Sequence, residues 1–423
     1  MLCHKLITLS ISCTLRISKL HNNVNFSFTK KNRWCSNIMH LPESIHSNKH
    51  LDVKKSNKNK ISPALSNYLE NIDPTFRERI IEDYTSLNLK NINPYLISDE
   101  ISNEFATLIK DDLLKNMSHV IELNPGYGLL TRKLLEANVP FIHLYEYHTE
   151  FYPELQRLQE IFPNRLSISK ADLQNMSKML NLKLASQVPT KPNKYLCELF
   201  ANVPKRNWEE ENCMKIIGTV INFSFIRHLI MSVVFQTGFM MHGRTILYLA
   251  LSPIIWNKLM HRSKKSLKTY ILFRTLFDHT LFGTLDGKGF LPWQKIKKSN
   301  ITDNHLFYVI KLEPKPNLLL LFGEKEGVIY FWYFIRHYFY RPTLRVIPSL
   351  EKIIPGIGIK LIEKNYDIFT QFEELNTDQI IDIYIELKSC PGFKESAFLS
   401  SANIIRKICD PYVNIQENEI NQL

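Results

Sequence analysis

The chain has 423 residues, of which 44% are hydrophobic, so it is long enough for two or three domains and for a sizeable buried core. Its formal net charge of +12 favours an anionic partner, with nucleic acid as the first candidate, although a generally basic soluble surface would give the same charge. The 7 cysteines are scattered and form no CxxC pair, which argues against a disulfide framework or a metal site and favours a reducing compartment.

Residues 1–42 contain no acidic residue, and their basic residues are spread among serine, threonine and apolar residues. This composition predicts a mitochondrial transit peptide, with a secretory signal or a disordered basic tail as the alternatives. Residues 43–61 are polar and rich in lysine, asparagine and serine, which predicts a flexible basic linker. We therefore expect the folded part of the chain to begin near Ser62.

Helical spacing of apolar residues predicts helices up to about Asn91 and from Ser98 to about Leu114. A buried strand, Val120–Leu123, follows, and then a turn in which Gly126 and Gly128 would let a ligand approach the backbone. A helix begins directly after this turn, and a helix N-terminus attracts negative charge.

A second predicted strand, Phe141–Glu146, ends in an acid where nucleotide-binding folds place a ribose-binding carboxylate. An ordinary strand–turn–helix connection is the simpler interpretation of the same pattern.

The rest of the chain predicts further strands separated by helices. The apolar stretch Ile216–Phe235 contains Arg227 and His228 and is too short for a clean membrane span, so it predicts a buried helix. Interleaved strands and helices predict a doubly wound α/β sheet over residues 62–314, and residues 315–423 predict a small helical C-terminal domain. The later strand candidates are Leu166–Ser169, Lys194–Ala201, Thr245–Leu251, the region of Leu281 and Leu306–Leu312.

The segment Glu122–Thr131, with the sequence ELNPGYGLLT, resembles the first motif of the ribosomal RNA adenine dimethyltransferase family. Within that family it resembles the mitochondrial transcription factor B branch, in particular its second paralogous group. The resemblance implies a Rossmann-like S-adenosylmethionine-dependent methyltransferase fold with a small C-terminal helical domain. It also implies S-adenosylmethionine as the cofactor, held by Glu122, Asn124, Gly126, Gly128, Glu146 and Asp172.

Two of these positions have alternatives or departures. The family usually has glycine where this chain has Asn124, and asparagine is the residue that best tolerates a positive φ in its place. For Asp172, which follows the third predicted strand, a turn or helix-capping role is the alternative.

The tetrad Asn202-Val203-Pro204-Lys205 resembles the Asn-Leu-Pro-Tyr motif that follows the fourth strand in active dimethyltransferases. The resemblance implies that Asn202 is the catalytic residue, because this asparagine and a backbone carbonyl accept hydrogen bonds from the adenine amino group while the aromatic stacks on the extruded base. Lys205 stands in the place of that aromatic, and Lys205 and Arg206 offer phosphate contacts instead. A plain strand-end turn is the alternative interpretation.

Several basic residues are candidate contacts to nucleic acid, with a solvated surface as the alternative. They flank predicted strands or lie in the aromatic and basic stretch Val328–Arg341, whose composition suits stacking on single strands. The candidates are Lys205, Arg206, Arg244, Lys264, Lys265, Arg336 and Arg341.

Two functional hypotheses follow. The first is a mitochondrial transcription initiation factor that assists the mitochondrial RNA polymerase in promoter opening, on a fold whose methyltransferase activity is weak or lost. The second is an active S-adenosylmethionine-dependent dimethyltransferase of mitochondrial small-subunit ribosomal RNA. In both cases we expect a monomer without a membrane partner, in the matrix nucleoid, bound to promoter DNA or ribosomal RNA. Lys205 and Asn124 favour the first hypothesis, and an inactive scaffold without a nucleic-acid role is a third.

Overall fold

The structure, a computed structural model, describes residues 59–89, 92–116, 118–175, 198–293 and 306–409. The predicted transit peptide, nearly all of the predicted linker and residues 411–423 lie outside these ranges. The strands of the described chain are β1 Tyr95–Leu96, β2 His119–Leu123, β3 Ile142–Glu146, β4 Leu166–Lys170, β5 Met214–Val220, β6 Thr245–Leu251, β7 Phe277–Asp286, β8 Phe290–Leu291 and β9 Leu306–Pro314.

Helices connect these strands and form the C-terminal part of the described chain. Several begin at a favourable N-terminal residue: Ser62, Asp73, Ser98 and Asn376 each accept a hydrogen bond from the first helical turn. The helices are α1 Pro63–Leu69, α2 Pro74–Ser86, α3 Asp99–Leu113, α4 Leu129–Glu136, α5 Tyr152–Ile161, α6 Phe223–Phe235, α7 Pro253–Met260, α8 Leu267–Leu276, α9 Leu318–Phe322, α10 Lys325–Tyr338, α11 Val346–Glu351, α12 Ile357–Glu363, α13 Thr377–Ser389 and α14 Ala397–Cys409.

Seven strands form one sheet in the order β4-β3-β2-β5-β6-β9-β7. The strands from β4 to β6 pair in parallel, whereas β9 runs antiparallel to both β6 and β7. A short antiparallel pairing of β1 with β8 lies outside this sheet. The order and directions are those of the seven-stranded S-adenosylmethionine-dependent methyltransferase fold, which confirms the predicted fold class.

Helices cover both faces of the sheet, because its central strands are buried on both sides. Every residue of β5 and of β6 is buried. Helices α1 to α5 pack on one face. Helices α6 to α8 and the C-terminal helices share a second apolar core on the other face, in which Trp332 of α10 packs edge-to-face on Phe235. The boundaries 62–314 and 315–423 stay a prediction.

The structure corrects the predicted fourth strand. Residues 194–197 lie outside the described chain, and Glu198 and Leu199 are helical. The strand that pairs with β2 is instead Met214–Val220, which overlaps the start of the predicted buried helix Ile216–Phe235. The reason is physical: a parallel strand buried on both faces is continuously apolar, so its sequence does not alternate and merges with the apolar helix α6 behind it.

Helix α6 and the residues after it, Phe223–Met240, form the one segment of the described chain that is long and apolar enough to cross a membrane by length and composition. In this structure 61% of the segment is buried within the protein. Its apolar residues pack between the sheet and helix α10, as Phe235 does against Trp332.

Candidate functional site

The glycine turn between β2 and α4 is held in a left-handed conformation. The φ angles are 53° at Asn124, 60° at Gly126 and 73° at Gly128. A Cβ atom at Gly126 would lie 2.6 Å from Cβ of Tyr95, and one at Gly128 would lie 2.5 Å from Cδ1 of Leu158. Both glycines are therefore required by the backbone and by the close packing of β1 and α5 on the turn.

Glu146 joins the end of β3 to this turn. Its Oε2 accepts a hydrogen bond of 3.1 Å from the backbone N–H of Gly126, and its Oε1 accepts bonds of 2.8 Å from the N–H groups of Tyr147 and His148. The residue is only 1% exposed. Burial raises the pKa of Glu146 to about 7, although the three N–H donors act in the opposite direction. Three of the roughly four acceptor positions of this carboxylate are thus occupied by the protein itself.

Glu122, one residue before the end of β2, accepts a hydrogen bond of 2.7 Å from the hydroxyl of Thr131. The contact ties β2 to α4. Burial raises the pKa of Glu122 to about 7, and the nearby Glu146 carboxylate acts in the same direction. The two acids thus lie in one buried, poorly solvated region around the glycine turn.

Asn124 and Asp172 complete the set of residues expected to bind the cofactor. The side-chain oxygen and nitrogen of Asn124 are both buried and have no hydrogen-bond partner among the described residues. Asp172 accepts hydrogen bonds from the backbone N–H and the side-chain amide of Asn175, at 3.2 and 2.7 Å. The structure therefore brings all six predicted residues to the carboxyl ends of β2, β3 and β4, where ligands bind in this type of sheet.

These residues fit a polar cofactor in part. The unpartnered amide of Asn124 and the fourth acceptor position of Glu146 are available to a ligand. The other three acceptor positions of Glu146 are already used by backbone N–H groups. Each carboxylate oxygen of Asp172 already accepts a hydrogen bond from Asn175. The residues expected around S-adenosylmethionine are therefore in place, but few of their side-chain hydrogen-bonding atoms are left to hold it.

The carboxyl end of β5 lies beside that of β2 and has the sequence Thr219-Val220-Ile221-Asn222-Phe223. Gln174 donates a 2.8 Å hydrogen bond to the backbone carbonyl of Thr219. Asn222 uses its side-chain oxygen to accept from the N–H of Ser224, which caps α6. A tetrad read from Asn222 would end at Phe225, which is fully buried and cannot stack on a base. No frame here supplies an Asn-x-Pro-aromatic motif.

Asn202, Lys205 and Arg206 lie at the opposite edge of the sheet, where β5 and β6 begin. The N–H of Arg206 donates to the carbonyl of His242, three residues before β6. This placement removes the structural reason for assigning Asn202 to catalysis, since it does not follow a strand beside the glycine turn. Lys205 and Arg206 instead line a cavity of about 810 Å³ with Trp208 and His242.

Among the other basic candidates, Arg244 is buried and has a structural role. Its guanidinium donates to the carbonyls of Trp208, Glu210 and Pro314 and to the carboxylate of Glu313. With four hydrogen bonds to the protein, Arg244 does not present a surface for nucleic acid.

The remaining candidates are exposed. Lys264 pairs with Glu373 at 3.0 Å, and Arg336 lies over the ring of Trp332 at 4.9 Å. Lys265 and Arg341 are exposed. The ammonium of Lys268 lies over the ring of Tyr340, and this contact brings the start of α8 beside the end of α10.

A second set of residues at the carboxyl edge was not predicted from the sequence. These residues lie on α7 or next to it, beside the end of β5. They are Trp256 and Lys258 of α7, Phe223 and Arg227 of α6, and Tyr308 of β9. A signal for them exists: from residue 212 to residue 277 the sequence contains no aspartate or glutamate. The basic residues of that stretch are Lys215, Arg227, Arg244, Lys258, Arg262, Lys264, Lys265, Lys268 and Arg274.

No protein-family model matches the chain. Among curated proteins it is similar to mitochondrial dimethyladenosine transferase 2 of Drosophila melanogaster, with 27% identity over 333 residues that cover 67% of this chain and 72% of the relative. It is also similar to mitochondrial dimethyladenosine transferase 1 of Pongo abelii, with 24% identity over 301 residues that cover 69% of this chain and 75% of the relative. Over about two thirds of its length the chain is thus similar to mitochondrial dimethyladenosine transferases.

These matches confirm the predicted resemblance to the dimethyladenosine transferases, including the likeness to the second mitochondrial paralogue. Both relatives are mitochondrial by name. Among solved structures, a dimethyladenosine transferase from Plasmodium falciparum covers 70% of this chain and 97% of its own, with 12% identity and a TM-score of 0.44. The sheet order of this chain, rather than that likeness, establishes its fold.

Proposed function

We propose that this protein is a mitochondrial transcription initiation factor that assists the mitochondrial RNA polymerase in opening promoter DNA in the matrix nucleoid. In this role the methyltransferase fold holds a strand of the opened duplex. The observation that carries the proposal is the tetrad at the end of β5, Asn222-Phe223-Ser224-Phe225, which has serine in place of the proline of the active dimethyltransferases and whose final aromatic ring is buried.

Methyl transfer to adenine depends on orientation. The amino nitrogen must be aimed in line at the methyl sulfonium group, and such positioning supplies most of the catalysis. Here the one asparagine at this strand end, Asn222, caps α6, and the aromatic three residues later, Phe225, is fully buried. A target base would therefore find one acceptor position of Asn222 already used by the helix cap. It would find no exposed ring at the fourth position of the tetrad.

The charge distribution supports a nucleic-acid partner. The acid-free stretch from residue 212 to residue 277 includes α7, the loop after it and α8. Lys265 and Lys268 follow α7, and the contact of Lys268 with Tyr340 continues this basic surface to Arg341. Lysine and arginine in such an arrangement bind phosphates and release counterions, so we expect binding to weaken steeply with salt.

The second hypothesis, an active dimethyltransferase of mitochondrial small-subunit ribosomal RNA, is favoured by one observation. The unpartnered amide of Asn124 lies beside the glycine turn and Glu146. In that case Asn124 and Glu146 would hold S-adenosylmethionine, which supplies the methyl group. A methyl-transfer assay on the ribosomal RNA hairpin tests this hypothesis directly.

Run-off transcription with the cognate mitochondrial RNA polymerase tests the proposal. The protein without its transit peptide is added to a duplex promoter and to the same promoter melted in advance around the start site. We expect initiation on the duplex to require the protein and initiation on the melted template to proceed without it.

The double variant K265A/R341A removes two exposed cations and should weaken duplex initiation, whereas K394A, which removes an exposed cation from the loop before α14, should not. If the protein changes initiation on neither template, the transcription function is wrong.

A further inference from the structure

Five side chains from three neighbouring parts of the fold form two groups of contacts, one on each flank of α7. In the sheet register Val220 of β5 pairs with Leu251 of β6, and Leu251 pairs with Tyr308 of β9. Phe223 begins α6 just beyond Val220, and Trp256 lies in α7 just beyond Leu251. The register therefore places Tyr308 and the first turns of α6 and α7, which carry Phe223 and Trp256, at one edge of the sheet, the edge where a target base would enter in an active methyltransferase.

One flank of α7 carries cations over an aromatic ring. Nζ of Lys258 lies 4.9 Å from the ring centroid of Phe223, and the guanidinium carbon of Arg227 lies 5.2 Å from the same centroid. Phe223 is half-buried, whereas Arg227 and Lys258 are exposed. Neither cation forms an ion pair with a carboxylate in the part of the chain that the structure describes. Their positive charge is therefore available to an anion from solvent.

The other flank of α7 carries a stacked pair of rings. The centroids of Trp256 and Tyr308 are 4.9 Å apart and the ring planes differ by only 11°. Both side chains are half-buried, so the pair is in contact with solvent and is not enclosed in the core. The imidazole of His279 lies next to this pair, with its centroid 6.4 Å from that of Trp256. A stack of this kind can be extended by a further flat ring.

The two flanks together match the chemistry of single-stranded nucleic acid. Its bases need aromatic faces on which to stack, and its phosphates need unpaired cations nearby. The acid-free stretch from residue 212 to residue 277 supplies both flanks except Tyr308, so no carboxylate of that stretch repels a phosphate. A duplex, whose bases are already stacked on each other, cannot use the Trp256 face.

We propose that these five residues bind single-stranded DNA, with a base stacked on the pair Trp256–Tyr308 and phosphates bound by Arg227 and Lys258. The proposal rests on the proposed function, because it names the surface that holds the opened strand. On this proposal the carboxyl edge of the sheet binds a base by stacking and does not position it for methyl transfer.

Fluorescence anisotropy of a labelled oligo-dT with the full chain tests the proposal. We expect W256L to weaken binding by about five- to 150-fold, which corresponds to the loss of one stacked base, about 1–3 kcal/mol. The matched control is W293L, since Trp293 is also half-buried and packs edge-to-face on Tyr68 on the other face of the sheet. It should bind like the wild type.

A second pair of variants guards against a folding defect in W256L. K258A removes an exposed cation and should weaken binding. It should also reduce the slope of log K against log salt by about 1, the change expected for the loss of one phosphate contact. K394A should change neither the affinity nor the slope. Quenching of tryptophan fluorescence on adding oligo-dT should be lost in W256L and retained in W293L.

The outcomes separate this inference from the proposed function. If W256L and K258A bind oligo-dT like the wild type while the protein still drives duplex initiation, the opened strand is held elsewhere and the inference is wrong. If the wild type neither binds oligo-dT nor supports initiation, the proposed function is wrong. Tighter binding to RNA of the same length, with the same loss in W256L, would assign the surface to RNA and overturn the choice of DNA.

Discussion

Arg244 gives the sharpest distinction between a basic residue that holds the fold and one that contacts a ligand. The side chain lies between the segment before β5 and the end of β9. Nε and Nη2 donate hydrogen bonds of 2.7 Å each to the carbonyls of Trp208 and Glu210, and Nη1 donates to Glu313 at 3.0 Å and to the carbonyl of Pro314 at 3.3 Å. The residue is only 6% exposed.

The substitution R244M keeps most of the apolar stem and removes the charge. It removes the donor of three backbone carbonyls, while the carboxylate of Glu313 keeps the amide of Asn212 and the ammonium of Lys311. Removing one partner of a buried ion pair costs about 3–5 kcal/mol. The side chain of Glu313 is 28% exposed and can be rehydrated, so we expect the lower end of that range, about 3 kcal/mol.

Urea denaturation measures this free energy of unfolding, and oligo-dT anisotropy at low temperature measures binding by the folded fraction. R244M should lose stability and keep its affinity for oligo-dT. The control R227M, at an exposed position, should do the opposite. If R244M has the stability of the wild type within about 0.5 kcal/mol but binds oligo-dT weakly, Arg244 is a ligand contact and our interpretation of its burial is wrong.

Three further outcomes are expected. The pKa of Glu122 is raised by burial to about 7, so the wild type should lose stability as pH rises from about 4.5 to 7. In urea denaturation E122Q should therefore be more stable than the wild type by about 1–3 kcal/mol at pH 8 and by little at pH 5. An equal gain at both pH values would contradict this. G128A should lower the free energy of unfolding by about 2–4 kcal/mol, because it combines a positive φ with a contact of 2.5 Å to Leu158. The control G356A, which has a positive φ but open space around it, should lower it by only about 1 kcal/mol. Labelled S-adenosylmethionine should transfer no methyl group to the ribosomal RNA hairpin, and transfer that disappears in E146A would refute the loss of activity.

Much of the sheet could be predicted because its strands carry local signals. Thr245–Leu251 has the predicted bounds, and β2, β3, β4 and β9 differ from prediction by one or two residues at an end. The hydrogen bond from the N–H of Gly126 to Glu146 also follows from sequence spacing, since a glycine turn and an acid at the end of the next parallel strand meet at one edge.

What the sequence could not show depends on contacts between distant segments. The strand β5 has no alternation, so its motif was sought one segment too early, at Asn202. The burial of Arg244 depends on carbonyls from two loops that only the fold brings together. The stacking of Tyr308 on Trp256 depends on β9 returning antiparallel beside β6, which places Tyr308 next to the start of α7.

Promoter opening itself is the most direct test of the proposed function. A duplex promoter with 2-aminopurine beside the start site is mixed with the mitochondrial RNA polymerase in the absence of nucleotides, and the fluorescence rise on unstacking is recorded. We expect little rise with polymerase alone and a large rise when this protein is added, reduced in W256L and unchanged in W293L. An equal rise with and without the protein would contradict its role in opening the promoter.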